Sequence, residues 1–226
     1  MKDKIQPSAI ELPSSLKLNK RLKMDGLKML AKVPDEAIPV AFLDPQYRGI
    51  LNKMKYGNEG KSRGRKRCEL AQMEDELIAQ FVREIDRTLI PTGHLFLWLD
   101  KFELLNGFHG WLDATTLDVV DLINWNKERM GMGYRSRRQT EYCLVLQKRP
   151  RKAKGVWKIH TIPDTWPEKA PKGEHPHRKP VQLQGELIAA VSNEDDIVMD
   201  PAAGDFTVME AARLHHRNFL GCDLNG

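Results

Sequence analysis

Apolar positions along the chain switch between the two spacings that separate strands from helices. Leu16 to Met24 alternates apolar and basic residues, as a half-buried strand does, and stops at Asp25-Gly26. Leu27 to Ala31 predicts a short helix, and Pro34-Asp35 a turn. Ile38 to Leu43 is an apolar run ending at Asp44, the pattern of a parallel strand covered on both faces. Leu77, Ile78, Phe81, Val82, Ile85 and Leu89 share one face of a helix. Pro91-Thr92-Gly93 predicts a turn into the apolar strand His94 to Leu99, with a further helix from Phe102 to Leu105. Leu117 to Trp125 and Tyr142 to Gln147 predict two more strands. Val181 to Val191 is helical, with Pro180 at its favoured starting position. Ile197 to Met199 leads as a strand into Asp200, Thr207 to His215 is helical, and Asn218 to Cys222 is a strand ending at Asp223. Strands interleaved with helices predict an α/β domain on a mostly parallel sheet.

Three stretches lack either period. Residues 1–15 are polar with scattered prolines and predict a loose N-terminal arm. Residues 48–72 are basic and glycine-containing, a mobile loop directly after a strand. Residues 148–174 are rich in lysine and proline and predict an irregular insertion. The 226 residues are enough for one domain, 1–226, with a sizeable core. No apolar stretch approaches membrane-spanning length and residues 1–20 contain no signal-like apolar segment, so a cytoplasmic protein with no membrane partner is expected. Cys68, Cys143 and Cys222 have no metal-ligand spacing, and an odd number argues against a disulfide framework. Reduced thiols and no metal are expected.

Charge adds a partner class. The net charge is +5, concentrated in three runs: Lys61 to Arg67, Arg135 to Arg138, and Lys148 to Lys154. Three dense basic runs in one chain favour a polyanion over a set of solvated loops. Arg63, Arg65, Lys66, Arg67, Arg135, Arg137, Arg138, Arg151 and Lys152 are the candidate nucleic-acid contacts.

Chemistry enters at the strand ends, where open α/β sheets place their ligands. Asp44-Pro45-Gln46-Tyr47 closes one apolar run, and Asp200-Pro201-Ala202-Ala203-Gly204 closes another, followed by Phe206-Thr207. A glycine turn into a helix brings backbone N–H donors close to a ligand. Asp223 ends the next strand, where a carboxylate accepts hydrogen bonds from a ribose diol. That much also fits a nicotinamide dehydrogenase, which leaves Asp44 to Tyr47 and the basic runs without a role.

With His175-Pro176-His177-Arg178-Lys179-Pro180 upstream of the second strand end, the segments resemble the β-class adenine methyltransferases of DNA. In that family a catalytic D-P-P-Y precedes the cofactor motifs H-P-x-x-K-P and D-P-F-x-G-S-G-T. Here these are Asp44 to Tyr47, His175 to Pro180, and Asp200 to Thr207; Phe219 to Asp223 resembles the following strand, and Lys23 to Gly26 the short strand before the catalytic one. The resemblance extends over most of residues 16–225. It implies a Rossmann-like S-adenosylmethionine-dependent methyltransferase fold, a mostly parallel seven-stranded sheet with one antiparallel strand, in circularly permuted motif order. It implies catalytic Asp44, Pro45, Gln46 and Tyr47. It implies a cofactor site of Asp25, His175, Lys179, Pro180, Asp200, Pro201, Ala202, Ala203, Gly204, Phe206, Thr207 and Asp223. The partner implied is double-stranded DNA with a flipped adenine, bound by a monomer or homodimer. Residues 148–174 stand where the family keeps its target-recognition region, and so few residues predict a short or relaxed recognition sequence.

The chemistry suits those residues. The exocyclic amine of adenine is a poor nucleophile because its lone pair is delocalised into the ring. Asp44 can accept one N–H and the Pro45 carbonyl the other, and Tyr47 offers a face for an extruded base. Gln46 replaces the second proline of the motif, and Asp205-Phe206 replaces Ser-Gly in the cofactor turn, where Phe206 either crowds the methionine moiety or packs beneath it. Two alternatives stand on the same fold: a cytosine-N4 enzyme, which more often carries serine at the position of Asp44, and a DNA-binding module without turnover. Trp98 and Trp125 read as core, Asp100 as a helix cap, and the adjacent His215-His216 as surface residues.

Overall fold

The computed structural model describes residues 12–46, 73–131, 135–169 and 178–226. Its strands are β1 (Arg21–Lys23), β2 (Ile38–Leu43), β3 (Leu89–Leu99), β4 (Leu117–Asn126), β5 (Thr140–Lys148), β6 (Thr165–Pro167), β7 (Ile197–Asp200) and β8 (Asn218–Asp223). Its helices are α1 (Gly26–Leu30), α2 (Asp75–Thr88), α3 (Lys101–Asn106), α4 (His109–Leu112), α5 (Val181–Val191) and α6 (Thr207–Leu214). The strands form one sheet in the order β1-β8-β7-β2-β3-β5-β4-β6. Only β5 runs against its neighbours, antiparallel to both β3 and β4, and the other pairings are parallel. The expected mostly parallel sheet with one antiparallel strand is therefore present, with β6 as an eighth, short strand. The first strand pairs with the last, Arg21 opposite Gly221, which is what the permuted order requires.

Alternation along β3 divides the core into two layers. Leu95, Leu97 and Leu99 face α1 and α2, where Met29, Leu30, Ile78, Phe81, Val82 and Ile85 close over them. Phe96 and Trp98 face the other way, against Leu183, Leu187 and Ile188 of α5 and Val208 and Ala212 of α6. Each such buried side chain contributes about 1.5–3 kcal/mol. Trp98 and Trp125 are both core, packed edge to face at 6.0 Å. Among the described residues no helix is long and apolar enough to cross a membrane.

Two expectations are corrected. The alternating run from Leu16 forms a strand only over Arg21–Lys23, because Asn19 turns left-handed (φ 59°) and its side chain bonds the Phe219 N–H at 2.9 Å. Pro91-Thr92-Gly93 is a bulge inside β3 and not a turn before it: the register jumps from Ile38↔Leu89 to Val40↔His94, with Thr92 at φ 69°. The described part of the 148–174 insertion is anchored. Trp157, Ile159, Ile162 and Trp166 pack on the α5 side of the core, and Lys158 Nζ donates to the Ser192 carbonyl at 2.7 Å. The Glu168 carboxylate accepts from Gln182 N (3.1 Å) and Leu183 N (3.0 Å), capping α5. Residues 1–11 of the expected arm and the whole 48–72 loop lie outside the described residues.

Candidate active site

The centre of the sheet is where its connections diverge. From β7 the chain crosses through α6 to β8 on one side; from β2 it proceeds to β3, on the other. Such a switch point leaves a crevice at the carboxyl ends of the two strands. Ala41 lies opposite Met199, so Asp44 and Asp200 leave the sheet side by side, and Asp223 ends the next strand.

The cofactor half is built on the turn after β7. Asp200 is buried and accepts from Ala202 N at 3.1 Å, holding the turn in shape. Burial pushes its carboxyl up to about 8; the Asp44 and Asp223 carboxylates add to the shift, and the Ala202 N–H and Lys179 oppose it. Ala203 N bonds the Cys222 carbonyl at 2.9 Å, fastening the turn to β8. Gly26 permits α1 to close on it from the far side, since a Cβ there would lie 2.2 Å from the Pro201 carbonyl. Gly204 differs: its φ is +50°, and a Cβ there would meet nothing within 4 Å, so the turn opens onto free space. Burial also pushes the Cys222 thiol up to about 12, with Asp200, Asp223 and Asp25 adding to it, which places three carboxylates around the floor of the turn. Asp25 caps α1 through Lys28 N at 3.0 Å, and half-buried Asp223 accepts from Asn225 N at 2.8 Å. An open glycine turn at a helix start, with an acceptor carboxylate at the adjacent strand end, fits the cofactor that the resemblance implies.

Phe206 packs beneath this turn. It occupies the N-cap of α6 in the left-handed region (φ 58°), the conformation a glycine adopts without strain. Its ring is 2% exposed, edge to face with Phe219 at 6.1 Å and under the Arg21 guanidinium at 5.0 Å. Asp205, the other departure from the family motif, is paired with Arg178 at 2.8 Å. Thr207 begins α6 and is buried.

In the catalytic half, Pro45 is buried and Asp44 half-buried at the end of β2. Gln46 is half-buried, and its carbonyl accepts from Met73 N at 2.7 Å, joining the two ends of the segment between them. The Lys179 ammonium is bonded to Asp44 Oδ2 and lies 3.5 Å from Glu141 Oε2. Glu141 Oε1 is bonded to Lys127. Lys179 sits 5.7 Å above the Trp98 ring and is 8% exposed. Burial would lower its pKa, but Asp44 and Glu141 outweigh that and hold it above the ordinary lysine value. Pro180, next in the chain, is the buried N-cap of α5. Lys127 and Glu141 lie outside the sequence motifs assigned to the site. They arrive through the β4–β5 pairing, with Trp125 opposite Glu141.

The basic residues divide. Arg135, Arg137 and Arg138 lie before β5, at the same end of the sheet as Asp44, where Arg138 is 3.7 Å from Asp100 and Arg137 donates to the Gly131 carbonyl at 2.8 Å. A cavity of about 160 Å³ there is lined by Asp100, Arg137, Arg138 and Tyr142. Asp100 caps α3 through Phe102 N and Glu103 N. Arg151 and Lys152 follow β5, whose antiparallel course delivers them to the opposite end of the sheet, where Gln147 pairs with His94 and accepts from Lys152 N at 2.8 Å. The structure does not bring them to the site. Tyr47, Arg63, Arg65, Lys66, Arg67 and His175 lie outside the described residues. Among the described residues no group of His, Cys, Asp and Glu is arranged to hold a metal ion.

Comparison with known proteins agrees with this geometry. A family model described as DNA methylase, of the N6/N4 methyltransferase type, matches residues 56–226. Type II methyltransferase M.HhaII of Haemophilus parahaemolyticus is 51% identical over 208 residues, spanning 92% of this chain and 91% of its own. Among solved structures, an M1.HpyAVI–SAM complex aligns with a TM-score of 0.64 at 18% identity, covering 90% of this chain and 92% of that one. The cytosine-N4-specific PvuII DNA methyltransferase aligns at 0.71 and 15% identity, covering 92% and 83%. At such identities the structural likeness shows the shared fold.

Proposed function

The chain belongs to the N6/N4 DNA methylase family, and from that premise we propose that it methylates the N6 amine of adenine in duplex DNA, using S-adenosylmethionine and a flipped target base. The observation that carries the reading is the side-by-side exit of Asp44-Pro45 and the open Gly204 turn from adjacent parallel strands. S-adenosylmethionine supplies an electrophilic methyl group when bound. Gly204, the first N–H groups of α6 and the Asp223 carboxylate are the groups to hold it. Asp44 accepts one N–H of the target amine and the Pro45 carbonyl the other, which turns the nitrogen lone pair outward and stabilises the positive charge that builds on it. A paired adenine does not present its amine for this geometry, so the base leaves the stack, and Tyr47 provides a stacking face. Aspartate at position 44 favours adenine over cytosine, whose N4 enzymes more often carry serine there.

Arg137 and Arg138, with Arg63, Arg65, Lys66 and Arg67 of the 48–72 loop, supply phosphate contacts whose contribution falls with salt. One domain over 1–226, acting as monomer or homodimer in the cytoplasm, completes the reading. Trp157, Ile159, Ile162 and Trp166 of the 148–174 segment pack on the core, and so short a segment supports a short or relaxed recognition sequence.

The decisive test is methyl transfer from labelled S-adenosylmethionine to unmethylated DNA, digested to nucleosides, with wild type beside Asp44→Ala. Label in N6-methyladenosine that disappears in the variant supports the reading. Label in N4-methylcytidine would transfer the assignment to cytosine, and tight DNA binding without any label would make the protein a binding module.

A further inference from the structure

Asp44 stands at the end of β2 with its side chain 28% exposed, and nothing in the strand itself fixes its χ angles. What fixes it comes from two distant elements. Lys179 precedes Pro180, whose φ of −70° starts α5, and α5 is held at that end by the Glu168 carboxylate. Glu141 begins β5, opposite Trp125, with one oxygen bonded to Lys127 and the other 3.5 Å from Lys179. Both lysines rest on indole faces, Lys179 over Trp98 at 5.7 Å and Lys127 over Trp125 at 5.0 Å, and the two indoles pack edge to face. The result is a row of alternating charge, Asp44–Lys179–Glu141–Lys127, mounted on a rigid aromatic pair.

Resting on the methyltransferase reading above, we infer that Lys179 is a positioning residue for the catalytic carboxylate: clamped between Asp44 and Glu141, its ammonium fixes Asp44 by Oδ2 and leaves Oδ1 for the target amine. A buried ammonium is stable only when paired, and here two carboxylates pair it. Those carboxylates keep it protonated, so it acts as a donor to Asp44 and not as a base. Without Lys179, Asp44 would lose the donor that holds its Oδ2, and the catalytic carboxylate would swing towards solvent. A misplaced catalytic group costs rate at a given occupancy of the site, without weakening cofactor binding.

The test compares wild type, Lys179→Met, Lys179→Arg and Glu141→Gln by kcat at saturating DNA and S-adenosylmethionine, with the Kd for S-adenosylmethionine from calorimetry. Lys179→Met should lower kcat about 100-fold, the scale expected for a roughly 1 Å misplacement of a reacting group, while its cofactor Kd stays within about 3-fold. Lys179→Arg should recover about 10-fold of that loss, and Glu141→Gln should lose about 5-fold, since each keeps part of the clamp. Wild-type kcat in Lys179→Met with a cofactor Kd raised tenfold or more would overturn the inference and return Lys179 to the cofactor site. If Lys179→Met does not fold, Glu141→Gln decides: an unchanged kcat there overturns the inference. A wild type that binds DNA but methylates nothing removes the functional reading and this inference together; an active wild type, a dead Asp44→Ala and a normal Lys179→Met remove this inference alone.

Discussion

Removing the Glu168 side chain should loosen the helix that carries Lys179. Helix α5 starts at Pro180, which offers no side-chain acceptor, and Glu168 reaches across to take the Gln182 and Leu183 N–H groups at 3.1 and 3.0 Å. The same carboxylate accepts from Trp166 Nε1 at 3.0 Å, while the Glu168 backbone carbonyl accepts from Trp125 Nε1 at 2.8 Å and is untouched by side-chain substitution. Loss of a helix cap costs about 1 kcal/mol. Loss of a negative charge at a helix N-terminus costs about 0.5 kcal/mol at a partly exposed site. The half-buried indole N–H left without its partner adds about 0.5–1 kcal/mol. Glu168→Ala should therefore destabilise the fold by about 2 kcal/mol, read as a urea midpoint shift and as roughly 4–8 °C in Tm for a chain of this size. Glu168→Gln, which keeps an acceptor but not the charge, should cost about 0.5 kcal/mol. The difference between wild type and Glu168→Gln should shrink in high salt, because it is the charge–dipole part. A Glu168→Ala protein within about 0.5 kcal/mol of wild type would refute the capping assignment.

Gly204→Ala should change stability by only about 1–2 kcal/mol, the cost of a side chain at positive φ, yet weaken S-adenosylmethionine binding at least tenfold in calorimetry, because its Cβ enters the open space over the turn. Phe206→Gly relieves about 1 kcal/mol of left-handed strain but forfeits about 3–5 kcal/mol of buried ring, so its thermal melt should fall; a rise in Tm would mean the ring does not pack beneath the turn. Asp200 holds its proton up to about 8 in the fold, against an ordinary value of 3.8, so its contribution to stability is full below the lower value and lost as pH rises through the upper one. Asp200→Asn should accordingly gain Tm relative to wild type on going from about pH 5 to about pH 8, and parallel Tm–pH curves would contradict the buried-carboxyl argument. Arg137→Ala/Arg138→Ala should weaken DNA binding and flatten its salt dependence, whereas Arg151→Ala/Lys152→Ala should do neither; equal effects in a salt titration would show that the far end of the sheet also meets DNA.

Much of this molecule is fixed locally and could be read from the chain. Ile38–Leu43 and Ile197–Asp200 are short apolar runs because strands at the middle of a parallel sheet are covered on both faces, and the aspartates that end them mark the edge of that covering. Helix α5 follows its proline start over Val181–Val191 as periodicity predicts. Local pattern fails where a neighbour decides: the Pro91–Gly93 bulge exists because β2 pairs alongside it, and β6 because β4 offers an edge to Thr165–Pro167. Basic runs look alike in sequence whichever end of a sheet they reach; the antiparallel course of β5 alone sends Arg137 and Arg138 to the site and Arg151 and Lys152 away from it. The Phe206 ring is placed by Phe219 of β8 and Arg21 of β1, and the bond between Lys179 and Asp44 joins residues 135 positions apart. The sequence by itself determined which residues stand at the strand ends and turns, since those are short-range properties. Which of them touch was decided only by the tertiary structure, because strand order and register set distances that no local spacing encodes.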